Sequence, residues 1–367
     1  MVLASWFHSL DPTVFSLGGG FAVRWYGLSY LAGFIIAWLV MMALAKRGKI
    51  AIPPHRVSDA LMWLILGTLI GGRLGYALVY DRSLLTGFSN DFPFWRLLAI
   101  NHGGMASHGG IIGCIVAAWR ISLGWRPTDM PNSPQREGKS SFAHIIDVVA
   151  LISPFGLGLG RIANFINGEL LGKVVTPPGQ PGPAWAVQFP QELSGWLDRG
   201  LRDTNSHTPQ LSGEQLVKLN ELVQLNLRPG EAWSTGVARL IASASKYQDQ
   251  LSPLLSSRHP SQLYQAAADG LVLAVCVWLV WLKTKTPGVV AAWWVMVYGV
   301  LRVATELYRL PDAQFGPDGG RPMGLSRGQW LSVGMFAVGA AYLAYVLWRK
   351  RRAATSHSAE QPTQPFG

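Results

Sequence analysis

Charge is scarce in this sequence. Asp, Glu, Lys and Arg supply 14% of its 367 residues, whereas a soluble domain carries about 25%, so a water-soluble globular fold is excluded. Cysteine is scarcer still. Cys114 and Cys276 each lie within an apolar run, without the spacing of a zinc site or a disulfide framework, and both read as packing residues. No cluster of His, Asp or Glu has ligand spacing, so no metal and no cofactor is expected. The first twenty residues lack the basic start and cleavage site of a secretory signal and are expected to lie along a membrane interface.

Apolar residues and tryptophan are plentiful instead, at 49% of the chain and 16 residues. Membrane proteins confine charge to loops and place indoles at interfaces. The reading is therefore an all-α polytopic membrane protein, its partner the lipid bilayer. The net charge of +11 would suggest nucleic acid in a soluble protein. Here it collects at the ends of apolar runs, so no nucleic-acid partner is expected.

Seven transmembrane helices are expected, at about residues 21–45, 57–80, 104–125, 144–166, 263–282, 289–310 and 330–348. Basic residues follow the first span (Lys46, Arg47, Lys49), the third (Arg126), the fifth (Lys283, Lys285) and the seventh (Arg349 to Arg352). Because cytoplasmic loops carry excess Lys and Arg, this puts the N-terminus outside and the C-terminus in the cytoplasm. The domains are then 1–166 (spans 1 to 4), an extracytoplasmic head insert at 167–259, 260–349 (spans 5 to 7), and a cytoplasmic tail at 350–367 expected to be disordered. Within the insert, Ser212 and Gln215 have capping-box spacing, and Leu216, Leu219, Leu222 and Val223 recur with a helical period. That amphipathic helix either covers the membrane domain or guides a large substrate.

Polar groups inside the apolar runs are the functional candidates. Gly67, Gly71 and Gly75 form a bare helix face suited to close packing, and Arg73, on another face, either snorkels or lines the interior. His108 sits among Gly103, Gly104, Gly109 and Gly110, as a structural group or as a catalyst. Asp147 and Arg161 share a helix face about four turns, roughly 20 Å, apart, so they do not pair. Pro154, Gly156, Gly158 and Gly160 loosen the helix between them beside a cavity.

The densest polar stretch follows, from Gly160 to Lys173. An arginine at mid-bilayer costs about 2.5 to 3.5 kcal/mol on insertion scales, so Arg161 must face the protein or reach for an anion. Asn164, Asn167 and Glu169 surround the point where the helix breaks. Either Arg161 snorkels beneath a polar cap, or these groups bind a phospholipid phosphate. In the sixth span Tyr298, Arg302, Glu306 and Arg309 recur on one helix face, where Glu306 neutralises an arginine or the group lines an ion or substrate path. Both arginine centres fall at the outer face, which suggests an anionic lipid.

Several longer motifs carry a family resemblance. Arg24-Trp25-Tyr26-Gly27-Leu28, Gly72-Arg73-Leu74-Gly75-Tyr76, Gly103-Gly104-Met105 with His108-Gly109-Gly110, Gly160 to Gly172, Arg258-His259-Pro260-Ser261-Gln262-Leu263-Tyr264, and Tyr298-Gly299 with Arg302, Glu306 and Pro311-Asp312-Ala313-Gln314 resemble the prolipoprotein diacylglyceryl transferases. The resemblance implies a bacterial inner-membrane enzyme. It would move diacylglyceryl from phosphatidylglycerol to the lipobox cysteine of a preprolipoprotein. The resemblance also implies phosphatidylglycerol binding by Arg161, with Asn164, Glu169 and Gly172 shaping the pocket, and essential roles for Tyr26, His108, Tyr298 and Arg302. Supporting roles for Asp147 and Glu306 follow from their burial. The chain departs from the family pattern at Ala163, Leu171 and Lys173 and in its long insert after Pro177.

Chemically, the expected reaction needs a cysteine thiolate and stabilised leaving-group charge. His108 is the candidate general base, Tyr26 or Tyr298 orients it or the lipid, and Arg161 and Arg302 meet the charge on the departing glycerol phosphate. A transporter of an anionic lipid or solute would also bury arginines. It would often show paired half-sequences with matching interruptions, and none is found.

Overall fold

The computed structural model describes residues 5–18, 21–90, 93–99, 103–127, 129–130, 134–196, 211–310 and 325–359. Most of them are helical. In chain order the helices are α1 (Trp25–Lys46), α2 (Val57–Val79), α3 (Ser83–Thr86), α4 (Ser107–Ser122), α5 (Phe142–Asn167), α6 (Gly213–Leu225), α7 (Trp233–Ala242), α8 (Gln248–Leu251), α9 (Ser261–Gln265), α10 (Leu273–Lys283), α11 (Val289–Glu306) and α12 (Arg327–Ala359). A π-helical segment, Ala266–Val272, joins α9 to α10.

Six stretches among the described residues are long and apolar enough to cross a membrane: Trp25–Lys46, Pro54–Val79, Phe142–Asn167, Ser261–Lys283, Val289–Glu306 and Gly328–Arg352. The protein is a multi-pass membrane protein. The remaining expected span, at 104–125, is the 16-residue α4, about 24 Å long at 1.5 Å per residue against a hydrocarbon core of about 30 Å. Its shortness has a backbone cause. Gly103 and Gly104 hold φ of 81° and 78°, and Gly124 holds 71°, so the right-handed helix is confined between them.

Short strands qualify the all-α expectation. β1 (Trp6–Phe7), β5 (Val187–Gln188), β6 (Ser257–Arg258) and β4 (Val174–Thr176) pair in that order as one sheet, while β2 (Thr13–Gly18) and β3 (Phe21–Arg24) form an antiparallel hairpin. The first residues of the expected span 1 are thus strand, and helix begins at Trp25. The N-terminal segment does more than lie along an interface, since Trp6 and Phe7 pair in parallel with Val187 and Gln188.

The chain forms two compact units. One comprises Met1–Ala32, Gly156–Leu273 and Val295–Val338, and the other Gly33–Phe155, Ala274–Trp294 and Gly339–Gly367. In the first, Phe7, Leu193, Leu219, Leu222, Val223, Val237, Leu240, Leu251 and Leu254 make a hydrophobic core beneath α6 and α7. The capping box forms, with Ser212 Oγ accepting from Gln215 N–H and Gln215 Oε1 accepting from Ser212 N–H. The apolar face it starts is therefore the buried one.

In the second unit α2 lies against α4 through glycines. A Cβ on Gly67 would stand 2.5 Å from Gly113 O, and one on Gly75 would stand 2.7 Å from Gly109 Cα. Only bare backbone permits that approach. Arg73 neither snorkels nor awaits a ligand. It is buried, Nε donates to Leu97 O at 2.7 Å, Nη1 to Gly103 O and Gly104 O, and Nη2 to Arg96 O and Ala99 O. α12 runs on past the apolar stretch to Ala359. Along it Arg349 and Arg352 lie over the rings of Tyr345 and Trp348, 5.9 and 4.2 Å from their centroids, close enough for cation–π attraction.

Candidate active site

α5 positions the central arginine by approaching the π-helical segment closely. A Cβ on Gly158 would stand 2.9 Å from Gly270 Cα and 3.5 Å from Ala266 O, so Gly158 and Gly270 let the two backbones touch. One turn on, Arg161 Nε lies 3.4 Å from Asp269 Oδ2; the arginine side chain is 18% exposed and the carboxylate fully buried. Asp269 accepts no hydrogen bond at either oxygen among the described residues. No hydrogen bond from Arg161 Nη1 or Nη2 to a described residue is present. The guanidinium is held along one edge, with the rest available to an anion.

Beyond Arg161 the helix ends as its sequence demands. Asn164 is buried, and its carbonyl accepts from Glu169 N–H at 3.0 Å. Gly168 turns the chain with φ of 68°, the left-handed conformation common one residue past a helix. Asn167 Nδ2 donates to Glu169 Oε1 at 3.2 Å, and the Glu169 side chain is exposed. Leu170 then holds φ of 55°. A bulky residue there is strained and stays only where neighbours fix it. Ser261 Oγ donates to Leu170 O, and Gln262 Nε2 to Glu169 O.

Gly172 has no room for a side chain, because a Cβ would collide with the His259 carbonyl. Lys173 N–H donates to Tyr308 O at 2.9 Å, and His259 N–H donates to Lys173 O at 3.0 Å. The loop after α5 is thereby tied on both sides. His259 packs among Trp185, Tyr264 and Tyr308, with ring centroids 5.0 to 6.0 Å away. Burial, aided by the Lys173 charge, pushes its imidazole below the usual histidine range. Of the departures from the family pattern, Ala163 is buried, and Leu171 packs on Phe165, Val187 and Phe189.

In α11, Arg302 Nη2 lies 3.1 Å from Glu306 Oε2, one turn along the same helix. Arg302 Nη1 is buried without a hydrogen-bond partner among the described residues. The helix ends at Glu306, so Arg309 leaves the expected helix face, and its backbone bridges to Gly172 instead. Pro311 to Gln314 lie outside the described residues.

The first unit therefore holds Arg161, Asn164, Glu169, Gly172, Tyr26, Tyr298, Arg302 and Glu306. Tyr26 meets Tyr30 edge-on, with centroids 5.2 Å apart. His108 and Asp147 belong to the second unit. His108 is exposed in the first turn of α4. Asp147 is buried, and its carboxylate accepts from Gly288 N–H at 2.7 Å and Ala291 N–H at 2.8 Å, so it satisfies free donors at the start of α11. Sequence reasoning missed Asp269. A signal existed, since it is the lone charge in a long apolar stretch, and an intramembrane acid points to function.

With this geometry in place, comparison with known proteins decides the family. A family model described as prolipoprotein diacylglyceryl transferase matches residues 12–345. The chain belongs to this family. It is 36% identical over 352 residues to the phosphatidylglycerol–prolipoprotein diacylglyceryl transferase of Bdellovibrio bacteriovorus, covering 94% of each chain. Proteins of the same name from Ruegeria pomeroyi and Neisseria gonorrhoeae are each 34% identical, over 91% and 90% of this chain and 94% of each relative. The diacylglyceryl transferase match thus spans both units, including the α5 stretch with Arg161 and the α11 stretch with Arg302.

Proposed function

We propose that this protein is a bacterial inner-membrane transferase that moves the sn-1,2-diacylglyceryl group of phosphatidylglycerol to the lipobox cysteine thiol of a preprolipoprotein. The thiolate sulfur attacks the glycerol carbon bonded to phosphate, a C–S thioether forms as the C–O bond breaks, and glycerol phosphate leaves with the electron pair. The thiol proton passes to a base, assigned to His108. A thiol has a reference pKa of about 8.5, so the base raises the thiolate fraction at neutral pH.

Charge builds on the leaving phosphate as the bond breaks. Fixed cations there stabilise the transition state more than the ground state, by about 3 to 4 kcal/mol for a well-placed donor. Arg161 clamps the phosphate and Arg302 meets the growing charge. Asn164, Glu169 and Gly172 shape the lipid pocket, and Tyr26 and Tyr298 orient lipid or base. Glu306 supports Arg302, and Asp147 supports the start of α11. The observation that carries this reading is the half-free guanidinium of Arg161 in an apolar helix, pinned at Nε alone.

The same reading gives seven spans, with the N-terminus outside, the head insert extracytoplasmic and the C-terminus in the cytoplasm. α4 is the short third span, supported by its close backbone contact with the membrane-spanning α2. Arg161→Lys tests the clamp, because lysine cannot reproduce a bidentate fork. The variant is expected to insert and fold yet lose most transfer from phosphatidylglycerol, and normal binding and turnover would remove the clamp assignment.

A further inference from the structure

Asp269 is an expensive residue to keep. Its side chain is fully buried, it lies in an apolar span, and neither carboxylate oxygen accepts a hydrogen bond from a described residue. A buried carboxylate normally has donors around it. Here its close partner is Arg161 Nε at 3.4 Å. The surrounding helix is unusual in the same place. Asp269 lies inside the π-helical segment Ala266–Val272, an arrangement that occurs mostly as short insertions and frequently at functional sites.

The geometry separates Asp269 from any lipid. It has no exposed surface, whereas Arg161 is partly exposed, so the carboxylate reaches substrate only through the arginine. A flexible guanidinium without such an anchor has several rotamers, and binding must order it. One held at Nε presents its remaining N–H groups already aimed, which lowers the ordering cost of each binding event. Resting on the reading of Arg161 as the phosphate clamp, we propose that Asp269 is the positioning residue of that clamp, a buried counter-ion that presets the Arg161 guanidinium for the lipid phosphate. The π-helical turn and the Gly158–Gly270 contact are what bring the carboxylate to it.

A double-mutant cycle with purified full-length protein in mixed micelles of phosphatidylglycerol tests this, using a lipobox peptide as acceptor. Asp269→Asn keeps the shape and removes the charge. It is expected to lower kcat/KM for phosphatidylglycerol about tenfold, a coupling normal for contacting residues, by raising KM for the lipid while KM for the peptide stays unchanged. In an Arg161→Lys background the same change is expected to cost less than about twofold. Asp269→Glu restores the charge and is expected to recover most of the lost kcat/KM. Equal losses in both backgrounds, or parallel rises in both KM values, would make Asp269 a general packing residue and overturn the proposal. Should Asp269→Asn fail to fold, Asp269→Glu carries the decision, since a folded Glu variant no better than Arg161→Lys overturns it too. Full activity in Arg161→Lys alone would instead remove the clamp itself, a separate failure that takes this proposal with it.

Discussion

Arg258 Nε donates to Glu192 Oε2 at 2.8 Å, and neither side chain has any exposed surface. Ser256 Oγ donates to Glu192 Oε1 at 2.7 Å, and Arg258 Nη1 donates to Gly172 O at 3.1 Å. The pair thus fixes strand β6 to the loop that follows Arg161. Removing one partner of a buried pair leaves an uncompensated charge, at about 3 to 5 kcal/mol. Glu192→Gln is expected to lower the thermal midpoint of the purified protein by many degrees, whereas the apolar pair Glu192→Leu with Arg258→Met costs much less. A single variant melting with the wild type would refute this role.

His8 gives the first unit a pH dependence. It is 1% exposed, and Nε2 lies 2.8 Å from the Phe165 carbonyl. Burial pushes its imidazole below the usual histidine range, opposed by that carbonyl. The folded state therefore binds the proton less readily than the unfolded chain, whose imidazole titrates near 6.5. The resulting stability is complete above that pH and declines below it. The thermal midpoint is expected to fall between pH 7.5 and 5.5, with a shallower slope in His8→Leu. Identical slopes in the two proteins would eliminate His8 as a source.

Topology is open to labelling. With Cys114 and Cys276 replaced by alanine, single cysteines at Lys218 and Ser356 can be exposed to a membrane-impermeant thiol reagent in intact cells. The proposed orientation puts Lys218 outside and Ser356 in the cytoplasm, so only Lys218→Cys is expected to react. The reverse pattern would invert the orientation.

Local devices were legible in the sequence. Ser212 and Gln215 announced a helix start, Gly67, Gly71 and Gly75 announced close packing, and Asn167-Gly168 announced the end of α5. Each depends on neighbours within a few residues. The partners of Arg73 were not legible, because five carbonyl oxygens in an irregular loop leave no pattern of side chains. The Arg161–Asp269 pair was hidden for a related reason. Periodicity tells which face a residue occupies, but which distant helix meets that face depends on the contact between Gly158 and Gly270. The span at 104–125 exceeds α4 because hydropathy counts Gly104 and Gly124 as helix-compatible, while both hold positive φ.

Transfer itself is read by mass spectrometry. Purified protein incubated with phosphatidylglycerol and a lipobox peptide is expected to yield peptide heavier by one diacylglyceryl group at its cysteine, stable as a thioether, with glycerol phosphate released in equal amount. Unmodified peptide and no glycerol phosphate, from protein that instead carries an anionic lipid or solute across a reconstituted bilayer, would contradict it.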